Sequence, residues 1–364
     1  MNILFINSLR KNRWGGGEKW MVEAAAGLSA LGHHTIVGCL KNSFIEHKAV
    51  QKGVETIEFG IPSDISFLSI PKLKRILISK HIDVLVCCQN KDVKIGGRAA
   101  RQAGIKAVFS RQGLQLFTKK RKYKYPFTRL IDGIITNTQS IKQIYESFGW
   151  FTKDFIHVIY NGMSMPKVDK TLNRQKIFGT TKDEKIILSA GRLSEQKGFS
   201  FLIDAAKMCI DKKLNYRFFI AGSGKLEAEL KSRVKELNLG NYVHFIGFIE
   251  DLSAYYSTAD VFVLPSLHEG MPNVVMESMA HGTVAIATRV NGAEELIEDR
   301  KNGFLIEPES AEQIAERLEI FFSDTVDRET MAKQARLHIE KNFTTEVMSR
   351  KLETLFLNQL NKTS

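Results

Sequence analysis

Short apolar runs alternate with helix-period segments along almost the whole chain, and this alternation narrows the fold more than any other feature. In the first half the runs are Asn2–Asn7, Thr35–Cys39, Val84–Cys88, Ala107–Ser110 and Gly133–Asn137. They are almost continuously apolar, as strands are when helices cover both faces of a parallel sheet. Between the first two lies Gly17–Leu31, where Met21, Ala24, Ala25, Leu28 and Leu31 share one helical face and Gly32 stops the helix. The expected class is α/β, with doubly wound parallel sheets.

The pattern restarts after residue 170. Lys185–Ala190, Arg217–Ala221, Val243–Ile246, Val261–Leu264 and Val284–Thr288 read as strands, with helices at Phe199–Lys212, Leu226–Leu237 and Pro272–Ala280. The polar segment YNGMSMPKVDKTLNRQ, containing Gly162 and Pro166, reads as the linker. A chain of 364 residues exceeds what one core usually serves. Two doubly wound α/β domains are therefore expected, 1–168 and 169–344, with a last helix at 345–364. Two such halves joined once imply a cleft between them, where ligands usually bind.

Charge separates the halves. Through residue 170 there are 27 basic and 12 acidic residues; after it, 25 and 28. A uniformly basic protein is excluded, and so is an argument from overall charge to nucleic acid, since no recognisable reading module accompanies it. No run approaches the roughly 18 apolar residues of a membrane span. Met1–Arg10 lacks the basic start and long apolar run of a signal peptide. Cys39, Cys87, Cys88 and Cys209 show no metal-binding spacing and read as buried thiols, so a reducing cytoplasm is expected.

Three groups in the second half carry chemistry. GRLSEQKG follows the strand KIILSA, and places Arg192 and Lys197 between Gly191 and Gly198. A planar fork and a point charge suit a diphosphate, although a surface turn with a helix cap has the same appearance. The segment VFVLPSLHEGMPNVVMESMAHG sets Glu269 in a loop and Glu277 about one and a half turns into the helix beyond Pro272. Carboxylates so placed accept hydrogen bonds from paired hydroxyls, as on sugars; alternatively they cap and solvate a helix. Gly222-Ser223-Gly224 and Asn291-Gly292 mark further strand-end loops. In the first half, Gly15-Gly16-Gly17 opens a helix without spelling a dinucleotide fingerprint.

Taken in order, these segments resemble glycosyltransferase family 4, the retaining nucleotide-sugar enzymes of GT-B fold. The resemblance runs through GGGEKW, VIYNGM, AGRLSEQKG, AGSGKLEAEL, the Glu269–Glu277 segment and VNGAEELIEDRKNGFLIEP. It implies that Arg192 and Lys197 hold the donor diphosphate, Glu277 the ribose, and Glu269 the transferring sugar, with the backbone of Gly270, Met271, Pro272 and Asn273 alongside. Gly191, Gly222, Gly247 and Phe248 would line the nucleotide, and Gly16 and Gly17 would close on the phosphates. Retention is expected on one face, with the leaving phosphate drawing the acceptor's proton. No Asp-x-Asp occurs, which agrees with a site needing no metal and no cofactor beyond the donor.

One stretch departs from the family pattern. Where relatives carry a short His-Gly motif, this chain reads Ser110-Arg111-Gln112-Gly113, so Arg111 and Gln112 become acceptor-side candidates, with Asp92 at another strand end. The basic run KKRKYKYPFTR, with Lys119, Lys120, Arg121, Lys122 and Lys124, reads either as a solvated loop or as a contact with an anionic membrane surface. The expected function is hexosyl transfer to a saccharide or lipid-linked saccharide in surface-glycan synthesis, at the inner face of the cytoplasmic membrane. A GT-B sugar-nucleotide epimerase is the alternative, and behind it a basic nucleic-acid-binding protein.

Overall fold

The computed structural model describes residues 1–9, 11–12, 14–63, 65–113, 117–169 and 171–362. Leu114–Leu116, beside the basic run, and Lys170, in the polar linker, lie outside the described residues. The chain divides into two units, Met1–Ser164 with Phe343–Ser364, and Met165–Asn342.

The first unit begins β1 (Asn2–Ile6), α1 (Gly16–Ala30), β2 (His34–Cys39), α2 (Phe44–Gln51), β3 (Glu55–Glu58) and α3 (Ser69–Ser79). It continues β4 (Val84–Cys87), α4 (Asn90–Ala103), β5 (Ala107–Gln112), α5 (Arg121–Arg129), β6 (Gly133–Thr136), α6 (Gln139–Glu146) and β7 (Ile156–Val158). Among the described residues its seven strands lie parallel in the order β3-β2-β1-β4-β5-β6-β7. β1 shows why such strands read as unbroken apolar runs. Leu4 and Ile6 enter the core on one face, and Ile3 and Phe5 enter a second core on the other.

The second unit runs α7 (Arg174–Phe178), β8 (Lys185–Ala190), α8 (Phe199–Asp211), β9 (Tyr216–Ala221), α9 (Glu227–Glu236), β10 (Val243–Gly247) and α10 (Ser253–Thr258). After these come β11 (Val261–Leu264), α11 (Asn273–Ala280), β12 (Val284–Thr288), α12 (Ala293–Leu296), β13 (Gly303–Ile306), α13 (Ala311–Phe322) and α14 (Arg328–Asn342). The order β10-β9-β8-β11-β12-β13 repeats that of the first six strands of unit one. In both sheets the order reverses beside the unit's first strand, and the carboxyl ends of the strands there form the usual ligand edge.

The last helix, α15 (Thr345–Lys362), returns to the first unit and packs on α1. The return is fixed where Met163 N–H donates to Phe343 O (2.9 Å) and Thr345 N–H donates to Met163 O (3.0 Å).

Three edge strands, β3, β7 and β13, were not expected from the sequence. β3 reads ETIE and β7 has three residues, so neither offers the apolar run that marks a central strand. β5 runs to Gln112, which places Arg111 and Gln112 inside the sheet, not in the loop after it. Most of the basic run is a helix, α5, that buries Pro126 and Phe127.

Candidate functional site

In the second unit the strand ends are brought together through glycine. Leu193 N–H donates to Ser223 O (3.0 Å) and Leu226 N–H to Leu193 O (3.1 Å), so the loops after β8 and β9 form one backbone platform. A Cβ on Gly222 would lie 1.9 Å from Gly191 O, a contact no side chain tolerates. Gly198 sits at φ +61, and its Cβ would lie 2.1 Å from Pro265 O. That close approach brings the start of α8 against the end of β11, and only glycine permits both the dihedral and the distance.

The approach sets up the charged pair. Gln196 Nε2–H donates to His268 O (2.8 Å) and Leu267 N–H to Gln196 O (2.8 Å), tying the GRLSEQKG loop to the loop carrying Glu269. Lys197 Nζ donates to Glu269 Oε1, and the two side chains keep 16% and 9% of their accessibility. The Lys197 stem runs along Gly191, where a Cβ would stand 3.3 Å from its Cδ and Cε. Buried Ser266 donates its hydroxyl to the same Glu269 Oε1 at 2.7 Å. Glu269 is thus fixed through one oxygen, and Oε2 has no partner among the described residues.

Glu277 lies on α11, one residue past the first turn, and is half-buried. Its Oε2 accepts the hydroxyl of Tyr256 at 3.3 Å. Pro272 occupies the N-cap position of α11, one residue earlier than the first-turn place read from the sequence, and α11 has no side-chain cap. Gly270, Met271 and Pro272 are buried and Asn273 is half-buried. Arg192 is exposed, with no ion pair among the described residues. Gly247 ends β10 at φ +72, and Phe248 after it is 76% exposed. Arg192, Lys197, Glu269 and Glu277 therefore all follow strand ends of one sheet edge, with the glycines between them.

The first unit treats its own strand ends differently. Gly16 and Gly17 are the exposed first two residues of α1, and Glu18 behind them is buried against Asn7. Arg111 is 4% exposed, stacks 4.6 Å over the Trp20 ring and donates from Nη2 to Asn161 Oδ1 (3.0 Å). Burial lowers its pKa to about 10, so the guanidinium stays charged, and no carboxylate among the described residues lies in ion-pair range. Gln112 is fully buried, donates to Ser110 Oγ (2.8 Å) and accepts from Tyr145 Oη (3.3 Å). Asp92 is fully buried on the first turn of α4, accepts from Ser8 N–H (3.4 Å), and is pushed up to about 7 by that burial. These three acceptor-side candidates share one sheet edge, but none presents its side chain at the surface.

Sequence reasoning did not single out Ser266, Tyr256, Trp20 or Asn161. A serine after a strand and a tyrosine in an amphipathic helix carry no signal until their partners are known. Among the described residues no three His, Cys, Asp or Glu side chains group as a metal site, and no helix is long and apolar enough to cross a membrane.

Two family models match the chain. Glycosyl transferases group 1 covers residues 170–338 and Glycosyltransferase Family 4 covers 14–165. The chain belongs to glycosyltransferase family 4. A family relative, an uncharacterised glycosyltransferase of Methanocaldococcus jannaschii, is 32% identical over 58% of this chain and 56% of its own. The lipopolysaccharide core biosynthesis glycosyltransferase LpsE of Rhizobium meliloti is 29% identical over 61% of this chain and 63% of its own. Both alignments span less than two thirds of those relatives. An Escherichia coli UDP-Gal:alpha-D-GlcNAc-diphosphoundecaprenol alpha-1,3-galactosyltransferase is 29% identical over 80% of this chain and 79% of its own. In fold, the family 4 chain matches Anabaena HepE, solved with UDP and glucose, at TM-score 0.83 and 22% identity over 98% of this chain and 99% of that one. The fold is GT-B: two Rossmann-like parallel-sheet units.

Proposed function

We propose that this protein transfers a hexosyl unit from a nucleoside diphosphate sugar to a saccharide or lipid-linked saccharide, with retention, in bacterial surface-glycan assembly. The observation that carries the reading is the Lys197–Glu269 pair, held by glycine loops at the sheet edge that α11, with Glu277, also follows. The names of the E. coli and Rhizobium relatives support this choice of acceptor class and pathway.

The chemistry follows from residue type. Lys197 gives one N–H to Glu269 and keeps two for phosphate oxygens, while the pairing removes rotamer freedom from its stem. Arg192 adds a planar fork to the same diphosphate. Together they offset the charge that grows on the diphosphate as its bond to the anomeric carbon breaks, without a divalent cation. The acceptor oxygen bonds to that carbon on the face the diphosphate leaves, and its proton passes to the departing phosphate oxygen. Glu269 meets the sugar through Oε2, and Glu277 accepts the ribose hydroxyls. In unit one, Arg111, Gln112 and Asp92 belong to the acceptor side. Lys119, Lys120, Arg121, Lys122 and Lys124 meet anionic headgroups at the cytoplasmic face of the inner membrane.

The test is incubation with labelled UDP-, GDP- and ADP-sugars, with and without bacterial lipid extract. Acceptor-dependent release of nucleoside diphosphate with the labelled sugar in the lipid fraction is expected. Interconversion of the nucleotide sugar without acceptor would replace transfer by epimerisation.

A further inference from the structure

The two carboxylates of the candidate site are each held by a buried hydroxyl, and the two hydroxyls come from different elements. Ser266, at 0% exposure after β11, donates to Glu269 Oε1. Its carbonyl in turn accepts from Thr288 Oγ1 at 2.5 Å, so its own position is fixed by the end of β12. Tyr256, at 2% exposure on α10, donates to Glu277 Oε2. Its ring is wedged between Phe262 (centroids 5.6 Å apart) and His281 (5.5 Å), and its carbonyl accepts from Thr283 Oγ1. Burial first, and then the Glu277 charge, raise the Tyr256 pKa well above the ordinary phenol value, so the group remains a proton donor at any working pH.

From this geometry we infer that Ser266 and Tyr256 are positioning residues with separate duties: Ser266 aims Glu269 at the transferring sugar, and Tyr256 aims Glu277 at the nucleoside ribose. The inference rests on the proposed roles of the two glutamates. A carboxylate on a three-bond side chain has several rotamers, and a donor fixed in the core selects one of them before ligand arrives. Ser266 and Lys197 both occupy Oε1 of Glu269, which reserves Oε2 for the ligand. Tyr256 reaches Glu277 from the side of the α10 core, and so sets the plane in which the carboxylate can accept two neighbouring hydroxyls. The rival explanation is that each hydroxyl is only satisfying its own hydrogen bond in the core. In that case its removal changes stability and leaves binding and turnover alone.

The two duties predict a split. Tyr256→Phe keeps the ring and its packing, and should weaken binding of the nucleoside diphosphate that wild type prefers among UDP, GDP and ADP by about five- to ten-fold. Binding of inorganic pyrophosphate, which has no ribose, should be unchanged in the same variant. Ser266→Ala should leave nucleoside diphosphate affinity within about two-fold and lower donor turnover by about ten-fold or more. Ser266→Thr, which restores the hydroxyl, should recover turnover relative to Ser266→Ala. In the Glu277→Ala background, Tyr256→Phe should cause no further loss of affinity. Calorimetric titration and steady-state donor turnover on the full chain read all of these. Unchanged nucleoside diphosphate affinity in Tyr256→Phe, or equal losses of nucleoside diphosphate and pyrophosphate, would overturn the assignment of Tyr256. Unchanged turnover in Ser266→Ala would overturn that of Ser266. A wild type that binds pyrophosphate but none of the nucleoside diphosphates would instead sink the underlying donor-site reading, and this inference with it.

Discussion

At the ends of β8, β9 and β11, the second unit folds glycine backbone against backbone and holds a part-buried lysine–glutamate pair on the platform. At the ends of β4 and β5, the first unit buries an aspartate and an arginine that do not pair with each other. The strand order is shared, so topology does not account for the difference. Loop packing does. Where Gly198 and Gly222 permit backbone approaches that any Cβ would block, charged side chains are held in place while they keep access to a ligand. Where the strand itself extends, as β5 does to Gln112, the charged side chain lies under the helices and pays the desolvation of burial. A parallel sheet thus offers one edge for two ends: a preorganised anion site, or a buried polar network.

The sharpest break of this comparison is chemical. Lys197→Ala and Glu277→Ala should each lower donor turnover by about 10²–10³-fold, a loss of ~3–4 kcal/mol, while circular dichroism melting stays within a few degrees of wild type. Near-wild-type turnover in both would remove the second unit's edge from the chemistry.

Next in size is the backbone itself. Gly198→Ala meets Pro265 O and holds a left-handed dihedral, and should cost about 3 kcal/mol in denaturant unfolding, with turnover falling as Lys197 shifts. Full stability in that variant would show that the approach between the two loops is not what sets the pair.

On the buried side, Asp92 supplies a pH test. Its folded pKa is raised from 3.8 to about 7. Between those values the folded state keeps the proton that the unfolded state gives up, so wild-type stability falls as pH rises through this window and levels off above about 7. Asp92→Asn removes that slope. The variant should gain on wild type by about 2 kcal/mol between pH 5.5 and 7, at ~1.4 kcal/mol per pH unit. Parallel stability curves would show that Asp92 is already solvated or paired.

The smallest effect per site belongs to α5 and the residues before it. Neutralising Lys119, Lys120, Arg121 or Lys122 singly to Gln should weaken association with anionic phosphatidylglycerol vesicles by about five-fold each, ~1 kcal/mol, and spare nucleoside diphosphate binding. Unchanged association would return the run to a solvated surface.

Legibility in the sequence followed the same division. The central strands were readable because burial on both faces writes an unbroken apolar run, as in NILFI and VLVC. The platform was readable because close backbone approach demands glycine, and glycine at strand ends is conspicuous. The edge strands β3 and β7 were not, since an edge strand needs only one face and few residues. α5 was hidden by its charges and by Pro126, which suggest a loop unless the burial of Phe127 is known. Ser266 and Tyr256 left no trace for a deeper reason. Their place at the site depends on a partner 3 and 21 residues away, and a hydroxyl's direction is a property of packing that residue spacing does not encode.

Calorimetric titration of the full chain with UDP, GDP and ADP, in wild type and Lys197→Ala, reaches the donor-site assignment most directly. Wild type should bind at least one of the three with release of heat, and Lys197→Ala should bind the same nucleotide about thirty-fold or more weakly, ~2 kcal/mol. Equal affinity in the two proteins, or no binding of any of the three by wild type, would contradict a nucleoside diphosphate site at the glycine platform of the second unit.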